Sequence, residues 1–258
     1  MIRGRQLQRA LSSRSGVTPV IRQPGRAVTY AARRTFRPAI ICHFGVRLAV
    51  DRDLLSPAIV DSLYRGGYEA AEVDIIRSTV TPDDRVLEVG GGIGFTGIIA
   101  AHIVQRPDDV LIVEPNPQLI PLMERNFRLN GVCPTVRNAV LGQDGRTEVP
   151  FFIHRDFWAS SLTAFKGARE TTVPQLDVRT IVKAFRPTYL IVDIEGGEVD
   201  LFDKLALDGV EKICLEVHPG RTGRAAVDDL FAGLARQQFA QERASRLENV
   251  VFFRRRSA

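Results

Sequence analysis

The stretch Glu88-Val89-Gly90-Gly91-Gly92-Ile93-Gly94 sets four glycines between a short apolar run and a helical one. Glycines after a buried strand let the backbone turn sharply and approach a ligand, and the following helix aims its N-terminal N–H groups at the same point. Glu114 stands 20 residues after Gly94, at the end of the next apolar run, where a carboxylate can accept both hydroxyls of a ribose. Farther along, Asp193-Ile194-Glu195-Gly196-Gly197-Glu198 closes a further apolar run. Asp193 and Glu195 are two apart on an extended segment and so share a face. The next run ends in Glu216-Val217-His218-Pro219, which brings Glu216 and His218 to the neighbouring edge.

Together these residues suit a nucleotide cofactor held beside a proton acceptor. Histidine has the reference pKa nearest neutrality, and crowding would raise the carboxyls of Asp193 and Glu195 toward the same range. A positioned base contributes typically ~10²–10⁴-fold to a rate. His218, Asp193 and Glu195 are therefore the candidate catalytic residues, with the choice among them open. Glu198 is expected to do no more than favour its helix N-terminus. Asp193, Glu216 and His218 are also of the types that ligate a divalent ion, but spacing alone does not establish this and no metal is assigned.

Two cofactor classes use such a glycine turn. Gly92-x-Gly94-x-x-Gly97 matches the nicotinamide fingerprint, so an NAD-dependent oxidoreductase is one alternative. Three points favour S-adenosylmethionine instead. Glu88 lies two residues before the first glycine, in a pattern that resembles the acid-x-Gly-x-Gly-x-Gly form of class I methyltransferases. Starting a dinucleotide loop at Gly92 would leave Gly90 and Gly91 lengthening a turn that normally leaves the strand directly. No arginine follows Glu114 to meet a 2′-phosphate, which removes the NADP variant. A second alternative is a non-catalytic module that keeps the cofactor fold.

The elements that must hold these groups follow from apolar periodicity. Residues 85–89, 110–113, 135–140, 189–194 and 212–217 are expected strands, and helical spacing falls at 57–63, 70–80, 95–104, 177–185, 199–207 and 225–235. Asn116-Pro117 is expected to open one more helix that Asn130-Gly131 closes. Residues 149–153 and 171–173 are extra strands, and 239–243 with 249–253 form a closing antiparallel pair. This alternation predicts an α/β fold with a doubly wound, mostly parallel seven-stranded sheet, Rossmann-like, and an antiparallel C-terminal hairpin. Residues 1–40 are expected to be a basic tail without order, 41–84 a lead-in, and 85–258 the catalytic domain.

Of 258 residues, 45% are hydrophobic and 25% charged, as in an ordinary globular chain. No run reaches the ~18 apolar residues of a membrane helix, which excludes a spanning protein. Cys42, Cys133 and Cys214 form no Cys-x-x-Cys pair, which argues against a disulfide framework or zinc site and fits a cytoplasmic location. The net charge of +5 hides an asymmetry: the first 50 residues hold ten Arg and no acid, while the remaining 208 carry 25 basic against 30 acidic residues. The acidic body is expected to exclude nucleic acid and to suit a cationic cofactor. The basic segment resembles a transit peptide in composition, and also suits contact with an anionic surface.

These motifs together resemble the FkbM family of S-adenosylmethionine-dependent methyltransferases. The matching pieces are Gly67-Tyr68-Glu69 with Glu72, VLEVGGGIGFTG (86–97), VEPNPQLIPLMERNFRLNGV (113–132), NAVLGQDG (138–145), Ser160-Ser161-Leu162, VPQLD (173–177), DIEGGEVDLF (193–202) and LEVHP (215–219). The resemblance implies a class I fold and O-methylation of a hydroxyl on a small-molecule, carbohydrate or natural-product acceptor. It implies cofactor contacts at Glu88, Gly90, Gly92 and Gly94 on the methionine side, at Glu114 on the ribose, at Asn138 and Ala139 beside the adenine, and at Tyr68 and Glu69. Asn138 stands where many class I enzymes carry Asp. Trp158 lies outside the motifs, as core packing or as part of an acceptor pocket.

Overall fold

The computed structural model describes residues 26–245 and 249–256. Helix α1 (Arg26–Phe36) comes first, followed by a hairpin of β1 (Ile40–His43) and β2 (Val46–Ala49). The expected tail therefore ends too late: residues 26–36 are helical, and residues 1–25 lie outside the described residues. Long-range anchors hold α1. The Tyr30 hydroxyl donates to Asp61 at 2.5 Å, and the Arg33 guanidinium donates to the carbonyl of Cys42 at 2.5 Å.

Helix α2 (Pro57–Arg65) opens with Ser56 accepting the Ile59 N–H and ends on left-handed Gly66; α3 (Ala70–Thr79) follows. Strand β3 (Val86–Val89), α4 (Phe95–Val104), β4 (Val110–Val113), α5 (Ile120–Asn130) and β5 (Thr135–Arg137) form the first winding. Helix α5 starts later than Asn116 because the Asn116 side chain accepts the Gln118 N–H and holds the chain in a turn. Strands β6 (Val140–Gly142), β7 (Glu148–Ile153) and β8 (Arg169–Asp177) make a separate small sheet in the order β6-β8-β7.

The second winding runs through α6 (Val178–Phe185), β9 (Tyr189–Val192), α7 (Glu198–Phe202), β10 (Lys212–Glu216), α8 (Pro219–Thr222) and α9 (Arg224–Arg236). It closes with β11 (Phe239–Ala244) and β12 (Val250–Arg255). Helix α7 is shorter than its apolar spacing suggests. The Gln143 amide reaches over from the small sheet and donates to the carbonyls of Asp200, Leu201 and Asp203 at 2.8–3.0 Å, stopping the helix there.

The seven-stranded sheet has the order β11-β12-β10-β9-β3-β4-β5, with β12 antiparallel to both of its neighbours. Alternation along each strand sends Val86, Ile112 and Ile191 to one buried face and Leu87, Val113 and Val192 to the other. Leu48, Ile59, Leu63 and Ile76 of the lead-in join the first of these clusters. No helix among the described residues is long and apolar enough to cross a membrane.

The chain winds outward from β3 to β5, then returns to lay β9 against the opposite side of β3. This reversal leaves the carboxyl ends of β3 and β9 diverging into a crevice, the place where open α/β sheets bind ligands.

Candidate active site

The glycine turn closes against the end of β9. The Gly90 N–H donates to Val113 O at 2.9 Å and the Asp193 N–H to Val89 O at 3.0 Å. Gly90 has φ +92°, and a Cβ there would stand 1.8 Å from the Asp193 carbonyl oxygen. Gly94 caps α4 at φ +81°, where a Cβ would press on Met123 and Phe127 at 2.7 Å. Both positions require glycine for conformation and for space.

A cavity of about 910 Å³ opens beyond the turn. Of the residues singled out from sequence, Tyr68, Glu69, Gly90, Gly92, Glu114, Ala139, Asp193 and Glu195 line it. Glu88, Gly94, Asn138 and His218 are not among the lining residues and stand behind the wall. Phe157 and Trp158 also line the cavity, so Trp158 is a pocket residue.

Each group behind the wall has a visible task. The enclosed Glu88 accepts a hydrogen bond from the Thr96 hydroxyl, tying β3 to the first turn of α4. The Asn138 amide donates to the carbonyls of Glu114 and Pro115 at 2.7 and 3.0 Å, bracing the end of β4. Glu114 in turn accepts the Gly92 N–H and the Asn116 N–H, both at 2.7 Å, so its carboxylate joins the glycine turn to the next loop.

His218 sits at the centre of four carboxylates. Its Nε2 lies 3.6 Å from Glu195, 3.6 Å from Glu216 and 3.9 Å from Asp193, while Nδ1 lies 3.5 Å from Glu198. Glu198 is fully buried and also accepts the His218 backbone N–H at 2.7 Å. It does more than favour a helix end: it holds the His218 main chain and lies beside the ring. Glu195 is gripped from the other side by Arg221 Nε at 2.6 Å. Glu72 and Glu216 line the cavity too. Glu72 is one helical turn beyond Glu69, the spacing that would have placed it there.

Crowding and burial shift the titration of this wall. Burial, reinforced by neighbouring acids, raises the carboxyls of Glu69 and Glu216. Burial likewise raises Asp193 and Glu195, against the opposing charge of His218. Burial pushes Glu114 up to about 7 and Glu88 up to about 8. Burial alone would lower His218, but Glu198 and the charges of Glu195 and Asp193 prevail and raise it. Such a set can pass a proton between carboxylate and imidazole near neutral pH and can face a cation. Asp193, Glu216 and His218 also bring one potential ligand atom each within 4.8 Å of one another.

A mostly parallel seven-stranded sheet in this order, with a glycine turn at its switch point, defines a class I methyltransferase. The chain belongs to the FkbM family of methyltransferases: the methyltransferase FkbM domain matches residues 88–243. Membership of a methyltransferase family favours a methyl donor over the nicotinamide alternative.

Similar solved structures include the tRNA m1G37 methyltransferase of M. jannaschii, at 16% identity and TM-score 0.46. That match covers 85% of this chain and 57% of the other, so this chain spans little more than half its length. An rRNA methylase from Streptococcus thermophilus matches at 10% identity and TM-score 0.46, over 72% of this chain and 95% of the other. A methyltransferase from Pyrococcus furiosus matches at 11% identity and TM-score 0.46, over 90% and 96%. No curated protein matches the chain in sequence.

These names correct one expectation. An acidic body was expected to exclude nucleic acid, yet proteins described as tRNA and rRNA methylases stand among the similar structures, so that exclusion is withdrawn.

Proposed function

We propose that the protein transfers a methyl group from S-adenosylmethionine to a hydroxyl oxygen, on a carbohydrate or natural-product acceptor. The observation that carries this is the contact between the Gly90–Gly92 turn and the Asp193–Glu195 strand end, which open together into one cavity. The residues present suit the cofactor. Glu69 Oε2 is buried without a hydrogen-bond partner, an acceptor suited to an ammonium donor. Glu114 keeps further lone pairs for ribose hydroxyls beyond the two backbone N–H groups it accepts. Gly90 and Gly92 let the main chain approach the methionine portion, with Tyr68 beside them, and Ala139 leaves room for the adenine. Glu88, Gly94 and Asn138 act by shaping this wall from behind.

When bound, S-adenosylmethionine supplies an electrophilic methyl on a cationic sulfur. The acidic wall favours that positive charge. An acceptor hydroxyl must shed its proton as its oxygen is alkylated, and Asp193 is the cavity-facing group placed to take it. Glu195, held by Arg221, orients the hydroxyl. His218 stands behind both, stabilising their charge and receiving the proton in turn. Phe157 and Trp158 offer flat apolar surface to the face of a sugar or ring.

Calorimetry with S-adenosylhomocysteine and with NAD tests the cofactor: micromolar binding of the first and none of the second supports the proposal, and the reverse ends it. Transfer of labelled methyl to a panel of glycans, hydroxylated natural products, tRNA and rRNA tests the acceptor. Label appearing only on RNA would overturn the acceptor assignment.

A further inference from the structure

We infer that Asp193, Glu216 and His218 form a binding site for one divalent transition-metal ion, and that the acceptor hydroxyl meets this ion in the cavity. Strands β9 and β10 are parallel neighbours paired up to Val192 and Leu215, which sets Asp193 beside Glu216 at the next register position. His218, two residues on, stands at the start of α8. Its Nε2 lies 3.6 Å from Glu216 Oε1 and 3.9 Å from Asp193 Oδ1, and one ligand atom from each residue falls within 4.8 Å of the others. Ligand atoms held roughly 2.1–2.4 Å from one ion stand about 3 Å apart at right angles and under about 5 Å when opposed. The three atoms therefore fit the shell of a single ion, and Asp193 and Glu216 open it to the cavity.

Two further features point to a metal. Behind the ring, Glu198 is wholly buried, its Oε1 lies 3.5 Å from Nδ1, and its Oε2 has no hydrogen-bond partner among the described residues. An acid beside Nδ1 favours the proton on that nitrogen and leaves the Nε2 lone pair toward Asp193 and Glu216, the arrangement of a ligating imidazole. The second feature is charge. Four carboxylates surround His218, and among the described residues the single Arg or Lys paired with any of them is Arg221, which holds Glu195 at 2.6 Å. Even with His218 protonated, two positive charges face four acids. A sulfonium brings one charge and no open position for an imidazole lone pair, whereas a divalent ion supplies both. One imidazole with two carboxylates is a mixed nitrogen–oxygen set, which suits a transition metal better than Ca²⁺.

The ion's task rests on the proposed O-methylation. A hydroxyl that takes an open position on the ion is made more acidic. Its proton passes to the second Asp193 oxygen, the oxygen lone pair forms the new C–O bond, and the C–S bond breaks with its electron pair left on sulfur. The ion takes over the stabilisation of charge that His218 gives the bare acids.

The test is titration of the full chain with Mn²⁺, read by calorimetry and by pulsed electron paramagnetic resonance. Wild type should bind one Mn²⁺ at least ~10-fold more tightly than Ca²⁺ and show a nitrogen coupling from the imidazole. E216Q, an isosteric change, should weaken Mn²⁺ binding at least ~10-fold, with melting temperature and S-adenosylhomocysteine affinity unchanged. H218A should abolish the nitrogen coupling. Absence of Mn²⁺ binding, equal binding by E216Q and wild type, or bound Mn²⁺ without nitrogen coupling would each overturn the inference. S-adenosylhomocysteine calorimetry on the same sample reads the cofactor separately. A chain that binds S-adenosylhomocysteine but no Mn²⁺ loses the ion alone, and one that binds Mn²⁺ with nitrogen coupling but no S-adenosylhomocysteine keeps the ion and loses the cofactor.

Discussion

The carbonyl oxygen of Asp193 occupies the space that a side chain on Gly90 would need, 1.8 Å from the position of its Cβ. The cofactor turn and the acid-bearing strand end are therefore built as one piece. A change in the first displaces the second.

Gly90→Ala should accordingly harm both stability and function. The clash is with backbone, and φ +92° is strained for alanine, so a loss of at least about 2 kcal/mol is expected. Urea unfolding would measure it, and S-adenosylhomocysteine affinity should fall with it. A variant as stable as wild type would show that the two loops are free to separate.

Glu114→Gln should weaken S-adenosylhomocysteine binding by about 10–100-fold, the worth of hydrogen bonds to a charged acceptor. The amide oxygen can accept only one of the two backbone N–H groups that Glu114 holds, so melting temperature is compared with wild type alongside the affinity. Unchanged affinity in calorimetry would remove Glu114 from the ribose site.

His218→Ala should lower turnover about 10²-fold or more while leaving cofactor affinity nearly unaltered, because the ring stands behind the cavity wall. Asp193→Asn should lower turnover further. If His218→Ala keeps full activity and Asp193→Asn or Glu195→Gln alone abolishes it, proton transfer needs only the carboxylates.

Stability should fall as pH rises from about 5 to 8. Burial raises Glu88 from its ordinary 4.5 to about 8 in the folded protein. Its contribution is therefore fully present below the unfolded value and is lost as pH climbs through the folded one. Glu88→Gln should flatten this slope by a few kcal/mol in denaturant titrations across that window. A slope identical to wild type would mean that Glu88 is not the titrating group.

Asp84→Ala should cost about 3–5 kcal/mol, since it strands a buried cation. Lys212 Nζ donates to Asp84 at 2.7 Å and to Thr79 O at 3.1 Å, joining the start of β10 to the loop before β3. Burial acts to raise Asp84, but Lys212 and the threonines around it lower its pKa on balance. This support is present above the ordinary carboxylate range and is lost only as pH falls through the lowered value. A loss under about 1 kcal/mol in thermal unfolding would indicate that Lys212 finds another partner.

Much of this protein was legible in its sequence for a physical reason: strands buried on both faces are short apolar runs, and glycines and acids that end them lie at the sheet's carboxyl edge by construction. Helix α4 and strand β4 could be bounded to the residue because local patterning alone decides them. What local patterning does not carry is which way a side chain turns once neighbours compete for it. Asn138 and Glu88, expected beside the cofactor, stand behind the cavity wall and bond to the Glu114 carbonyl and to Thr96, partners brought close by sheet order. Helix α1 reads as tail because what steadies it is Asp61 and the carbonyls near α2, some 30 residues away. The order of the strands, the convergence of Glu195, Glu198 and Glu216 on His218, and the face that α1 presents to solvent arise only from long-range packing. Contacts between distant segments are set by the fold as a whole, whereas periodicity, caps and turns are set by adjacent residues.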